Sequence, residues 1–242
     1  MIIANWKMNG SKTLVEAWID FVSQNIKINQ EKDFIFCPPT CYLDYSSLLI
    51  KEQFNNIKLG SQQLDLESSA PLTGGVNYQM LVDIGCEFVI IGHSEQRARF
   101  DETNQILSNK LNTAIEGNIK PIFCIGESLS QKKENQTKDI LIDQLSALQS
   151  SSVDDCIIAY EPVWSIGTGE NAEISYIEDI HSFIKEELNN IKNSTNDISV
   201  VYGGSVNLAN YKEIYSSNMV DGLLIGGASL DSNTFTKIYN MS

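Results

Sequence analysis

Short apolar runs rich in β-branched residues alternate along this chain with longer segments whose apolar positions recur at helical spacing. The runs fall at residues 2–6, 33–37, 57–61, 88–91, 121–125, 156–160, 199–202 and 222–225. Between them, residues 12–27 put Leu14, Ala17, Trp18, Phe21 and Val22 on one face, and residues 174–191 space Ile177, Ile180, Ile184 and Leu188 at helical intervals. Strands alternating with helices predict parallel βαβ units, and eight such units predict an α/β fold closed into a (β/α)8 barrel. An open doubly wound sheet is the alternative. Its glycine fingerprint should follow the first strand, where the chain instead reads Asn5-Trp6-Lys7-Met8-Asn9-Gly10. With no Pro/Ser-rich linker, low-complexity tract or break in composition, residues 1–242 read as one domain, close to the roughly 250 residues of such a barrel.

Composition narrows the partners. A hydrophobic fraction of 42% suffices for a sizeable core, and a formal charge of -14 argues against nucleic acid and anionic membrane. An anionic ligand would need a locally positive pocket, which is feasible because distant surface charge is screened within roughly 8 Å. The five cysteines, Cys37, Cys41, Cys86, Cys124 and Cys156, lack zinc spacing and read as reduced thiols. Cys124 ends a predicted strand, so it is either a buried structural thiol or a neighbour of the site. The chain opens on a strand without the charged and apolar regions of a signal peptide, and no apolar run approaches the roughly 20 residues of a membrane span. The expected setting is cytoplasmic.

The candidate chemical residues sit at or just after strand ends: Lys7, His93, Glu161, Ser205 and Gly226. In a barrel those ends share one face, where barrel active sites lie. In Tyr160-Glu161-Pro162-Val163-Trp164-Ser165-Ile166-Gly167-Thr168-Gly169, a strand delivers Glu161, proline stops it, and a glycine-bearing loop follows. A desolvated carboxylate there can act as general base on a carbon-bound proton, although a lone glutamate in a loop is more often a solvated one. His93, one of two histidines, begins a polar turn or helix after Gly92. A helix N-terminus disfavours an imidazolium, and a neutral imidazole can donate to an oxygen that is gaining charge. His181, inside a helical run, reads as structural. Lys7 would supply fixed positive charge, with Asn5 two residues earlier projecting to the same side. Gly167, Ser205, Gly226 and Gly227 form a candidate phosphate cradle, because glycines let backbone N–H groups approach an anion. Glycine pairs also make ordinary tight turns, but two in consecutive βα loops favour phosphate.

Together with Asn5-Trp6-Lys7, Gly92-His93-Ser94-Glu95, Tyr202-Gly203-Gly204-Ser205 and Ile225-Gly226-Gly227-Ala228, the Glu161 stretch resembles triosephosphate isomerase along essentially the whole chain. The resemblance implies the TIM-barrel fold and a cofactor- and metal-free isomerisation of dihydroxyacetone phosphate and glyceraldehyde 3-phosphate through a cis-enediolate, a step of glycolysis and gluconeogenesis. It implies Glu161 as base, His93 as electrophile, and Asn5 and Lys7 on the substrate. Phosphate would be held by Gly167, Ser205, Gly226 and Gly227. A lid including Trp164 and Thr168 would be latched by Tyr202 and Ser205 near Gly169 and Ala172. Glu127 would meet Trp164, and Glu95 would sit near Lys7. A homodimer is implied, with the Thr73 loop at its interface. Four positions depart from the family pattern: Ser165 stands for Ala, Glu170 for Lys, Gln96 for Arg and Gly75 for Glu. The last two usually pair across the dimer, and losing both leaves no charge stranded there. The competing readings are another phosphate-handling barrel enzyme and a non-catalytic barrel kept for binding. The first would not be expected to combine these motifs, and the second would be expected to have lost Glu161, His93 or Lys7.

Overall fold

The computed structural model describes residues 1–242 except 28, 30, 31, 55, 67–71, 149–155, 167–169, 192–197 and 242. Eight parallel strands close in sequence order: β1 Ile2–Asn5, β2 Phe34–Cys37, β3 Ile57–Ser61, β4 Cys86–Ile91, β5 Lys120–Ile125, β6 Ile157–Tyr160, β7 Ser199–Tyr202 and β8 Gly222–Ile225. Ile3 pairs with Leu224 on one side and Ile35 on the other, which completes the ring. The predicted strands are all present. The fourth starts earlier than expected, at Cys86, because that residue still pairs with Leu59 before the register shifts at Gly60.

Strand periodicity divides the side chains into two cores. Ile3, Ile35, Ile90, Ile122, Ile157 and Val201 fill the barrel. Their neighbours Ile2, Phe34, Phe36, Val89, Phe123 and Ile158 face the surrounding helices. The helices α1 Lys12–Asn25, α2 Leu43–Gln53, α3 Tyr78–Ile84, α4 Ser94–Phe100, α5 Asn104–Glu116, α6 Leu129–Lys133, α7 Thr137–Leu145, α8 Ile174–Ile191, α9 Tyr211–Tyr215 and α10 Ser232–Met241 lie in the connections and after the last strand. Among the described residues, none of the helices is long and apolar enough to cross a membrane.

The face of α1 corrects the sequence expectation. Val15, Trp18, Ile19 and Val22 are buried, whereas Leu14 and Ala17 are exposed and Phe21 is half-buried. Both stripes contain Trp18 and Val22, so periodicity alone did not choose between them. The choice is made by Trp18, which stacks on Phe36 at 4.6 Å and donates its indole N–H to the Ser229 carbonyl at 2.8 Å. The α8 stripe is as expected, with Ile177, Ile180, Ile184 and Leu188 buried.

His181 in α8 is structural, as its helical setting implied. It is fully buried, with Nδ1 3.2 Å from the Met219 carbonyl and its ring edge-on to Tyr160. Burial, opposed by the Met219 carbonyl, lowers its pKa to about 4. Between that value and about 6.5 the unfolded chain binds a proton that the folded chain refuses, so stability is full above the unfolded pKa and falls as pH drops through this window. Urea unfolding is therefore expected to show a contribution from His181 about 2 kcal/mol smaller at pH 5 than at pH 7. His181→Phe should flatten this dependence, and an unchanged slope in the variant would refute the assignment.

Candidate active site

The inward side of each strand continues past its end into the barrel mouth. On β1 the inward parity of Ile3 carries on to Asn5 and Lys7, and on β6 that of Ile157 and Ala159 carries on to Glu161. On β4 the inward residues are Phe88 and Ile90, so unbroken alternation would turn His93 away. Gly92 adopts φ +73°, a left-handed conformation suited to glycine, and resets the direction of the chain. His93 then caps α4, its Nδ1 accepting the Glu95 backbone N–H at 3.2 Å.

These residues converge. His93 and Glu161 are both buried, with His93 Nε2 3.3 Å from Glu161 Oε1. Neither His93 Nε2 nor Glu161 Oε2 has an aligned hydrogen-bond partner. Buried polar atoms are normally satisfied, so these two, on neighbouring side chains, are available to a ligand. Lys7 stands at the rim with φ +52°, its N–H held by the Asn5 side-chain oxygen at 3.0 Å and its ammonium on Glu95 at 2.7 Å. Burial pushes the Glu95 carboxyl up, but Lys7 outweighs it and holds the group below its ordinary range. For His93, burial pulls the pKa down; the Glu161 carboxylate, opposed by Lys7 and helped by Glu95, turns the net direction upward. The amide N–H aimed at Nδ1 works against a second ring proton, so the upward pull belongs to the facing carboxylate.

Gly126 and Gly203 make room for Glu161. A Cβ on Gly126 would collide with the Glu161 carbonyl, and one on Gly203 would lie 2.7 Å from Glu161 Cγ. Cys124 is both buried and beside the site. Burial, followed by the Glu161 carboxylate, pushes its thiol well above the ordinary value, so it stays protonated. Across the mouth, Gly226 precedes a single 3-10 turn, Gly227–Ser229, whose Ser229 N–H and hydroxyl both donate to the Gly226 carbonyl. A Cβ on Gly227 would meet nothing within 4 Å, and one on Gly226 would meet only the Lys7 stem at 3.7 Å. The surface there is open backbone beside a cation. Among the described residues, no cluster of His, Cys, Asp and Glu could hold a metal ion.

A family model described as triosephosphate isomerase matches residues 1–242. The chain belongs to the triosephosphate isomerase family. It is 38% identical to the triosephosphate isomerase of Buchnera aphidicola subsp. Cinara cedri over 251 aligned positions, covering 100% of this chain and 98% of that one. Identity is also 38% to the proteins of that name from Hydrogenovibrio crunogenus, covering 98% and 95% of the two chains, and Mesomycoplasma hyopneumoniae, covering 98% and 97%.

Of the other residues expected from sequence at the site, several lie in the described part of the chain. Glu127 is fully buried and accepts from Trp164 Nε1 at 2.8 Å, Tyr176 OH at 2.8 Å and Tyr160 OH at 3.0 Å. The Tyr202 hydroxyl is buried without an aligned partner, and burial moves its pKa up to about 12. A Cβ on Gly204 would collide with that hydroxyl and would lie 2.6 Å from Ser165 Oγ, so Ser165 places a second hydroxyl beside Tyr202. Ser205 lies on the same loop, and its carbonyl accepts from Asn210 at 2.8 Å. Gly167, Thr168 and Gly169 lie outside the described residues.

Some neighbours of the site were not singled out from sequence. Arg97 donates to the Gly92 carbonyl at 2.7 Å and the Cys124 carbonyl at 3.1 Å, tying the ends of β4 and β5 together. Gln62 donates to the Lys7 carbonyl at 3.1 Å and the Cys37 carbonyl at 2.8 Å. Asn210 also reaches Asn171 at 3.1 Å. Gln62 shares the one usable signal, a polar residue directly after a strand end. The bonds of Arg97 to Cys124 and of Asn210 to Asn171 reach distant segments and have no local signature.

Proposed function

We propose that this chain interconverts dihydroxyacetone phosphate and D-glyceraldehyde 3-phosphate through a cis-enediolate. The observation that carries the proposal is the buried pair of unsatisfied atoms, Glu161 Oε2 and His93 Nε2, beside the Lys7 cation and the open glycine turn. Glu161 takes the proton from the hydroxyl-bearing carbon of the substrate. The C–H electron pair forms the C=C bond, and the carbonyl electron pair moves onto oxygen. His93, protonated on Nε2 and neutral because Nδ1 faces an N–H, donates to that oxygen. Substrate lying between Glu161 and His93 would interrupt the contact that pulls the imidazole upward. Lys7 stabilises the developing charge, and Asn5 holds the backbone turn that presents it. A proton passes from the hydroxyl oxygen of the first carbon to the enediolate oxygen by way of His93 Nε2, and Glu161 returns its proton to the second carbon as the electron pair left on the first oxygen forms the new carbonyl. The oxidation of one carbon is balanced by reduction of the next, so the reaction requires no external electron acceptor.

Backbone N–H groups of Gly226, Gly227, Ser205 and Gly167 would hold the phosphate, and a lid including Trp164 and Thr168 would exclude water from the enediolate. Tyr202 and Ser205 would latch it near Gly169 and Ala172. The test is turnover of glyceraldehyde 3-phosphate by purified protein in a coupled assay. Sustained isomerisation is expected, and a folded protein that leaves the substrate unchanged overturns the reading.

We also propose a homodimer in a reducing, cytoplasmic setting, which the buried thiols of Cys37, Cys86 and Cys124 suit. Met8 is 91% exposed and Leu72, beside Thr73, is 66% exposed, so apolar side chains are available at the proposed interface. The Thr73 loop is shaped by Asp65, which accepts the Val76 N–H at 2.6 Å, and Gln96 is a neutral, half-buried neighbour of the site. Sedimentation at micromolar concentration is expected to give a dimer; a predominantly monomeric species would refute it.

A further inference from the structure

Glu161 is joined to Trp164 by a stiff arm. Pro162 fixes its own φ at -59°, and a 3-10 turn over Val163–Ser165 follows directly. The arm is anchored at Glu161, whose N–H donates to the Ile125 carbonyl at 2.8 Å, and at Val163, whose N–H donates to the Glu127 carbonyl at 3.0 Å. Its far end is the Trp164 indole, whose edge is bound to Glu127. The indole face is covered by Lys132, whose ammonium lies 3.4 Å from the Trp164 ring centre and 4.3 Å from that of Tyr176. This is the shortest cation–ring contact among the described residues, and it bridges two rings that themselves meet edge-on at 6.0 Å. Lys132 is placed by a built device. Ser128 and Gln131 form a reciprocal capping box that fixes the start of α6, its N-cap Ser128 directly following Glu127.

We infer that Lys132 is a positioning residue for Glu161: its ammonium clamps Trp164 against Glu127 and Tyr176, and the stiff Glu161–Trp164 arm carries that restraint to the carboxylate. Lys132 acts through Trp164 and not by contact with the carboxylate. A partly desolvated cation–ring contact shifts a local equilibrium by about three- to thirtyfold, enough to change how often the carboxylate stands in a productive place.

The inference rests on the isomerase reading, and the experiment separates the two. Protein labelled with 5-fluorotryptophan gives resonances for Trp6, Trp18 and Trp164, and Trp164→Phe assigns the last. Lys132→Met keeps the length and apolar stem of the side chain but removes the charge. It is expected to move or broaden the Trp164 resonance, leave those of Trp6 and Trp18 in place, and lower kcat by about three- to tenfold while KM changes less than about twofold. Lys132→Arg should restore both the resonance and kcat. An unmoved Trp164 resonance, an unchanged kcat, or failure of arginine to restore either one overturns the inference. If the wild-type protein shows no isomerase activity, the functional reading falls, and the resonance comparison still decides whether Lys132 holds Trp164.

Discussion

Glu161→Gln is expected to lower isomerisation of glyceraldehyde 3-phosphate by about 10²–10⁴-fold, the range attributed to a positioned general base. Glutamine has the same shape and can keep contacts within the cavity, but its amide does not accept a proton from carbon. The cavity walls, formed by Gly126, Gly203 and the protonated Cys124 thiol, should accommodate it without rearrangement. Folding stability is not expected to fall, because the substitution removes a buried carboxylate with one unpaired oxygen. A second readout follows from the electrostatics. In the wild type, burial lowers the His93 pKa and Glu161 reverses the direction. Without the carboxylate, the His93 titration followed by NMR should move down. Near-wild-type turnover in a folded variant would remove Glu161 from the role of base. A His93 titration that stays in place would refute the electrostatic coupling.

Lys7→Met is expected to lower kcat/KM by about 10²–10³-fold, with KM rising and kcat falling together. The ammonium is aimed by two restraints, the left-handed backbone held by Asn5 and the contact with Glu95. The lysine stem lies beside Gly226, so one cation can serve both the bound anion and the enediolate oxygens as they gain charge. Methionine keeps the stem and leaves the backbone turn in place. Glu95 is left unpaired, but its side chain is 59% exposed, so water replaces the lost partner at little cost. Steady-state kinetics beside a thermal unfolding curve separates the effects. Unchanged kcat/KM would refute the charge role, whereas loss of both activity and fold would show that the Lys7–Glu95 pair is structural.

Much of this arrangement was readable because it is local. Eight apolar runs at barrel spacing, with polar residues at or just after their ends, named Asn5, Lys7, His93 and Glu161, and the structure brings them to one mouth. The capping position of His93 was also legible, since Gly92 and the polar turn are adjacent in sequence. The buried face of α1 was not. Leu14 and Phe21 satisfy helical periodicity as well as Val15 and Ile19 do, and Trp18 meets its partners Phe36 and Ser229 only after the chain has folded. The same holds for Tyr176 as a third donor to Glu127, for Arg97 across two strand ends, and for Lys132 over Trp164. These last three contacts join residues 27 to 49 positions apart through side-chain directions that no sequence period encodes.

Alternation of strand and helix, the barrel that follows from eight repeats, and the residue types delivered to its open end are all legible along the chain, because periodicity and chain-stopping residues act over a few positions. Which face of α1 is buried, how near Glu161 stands to His93, and which side chains hold the Glu161–Trp164 arm are settled only in the folded barrel. Those outcomes depend on packing between distant segments, where shape and charge are matched only once the barrel has closed.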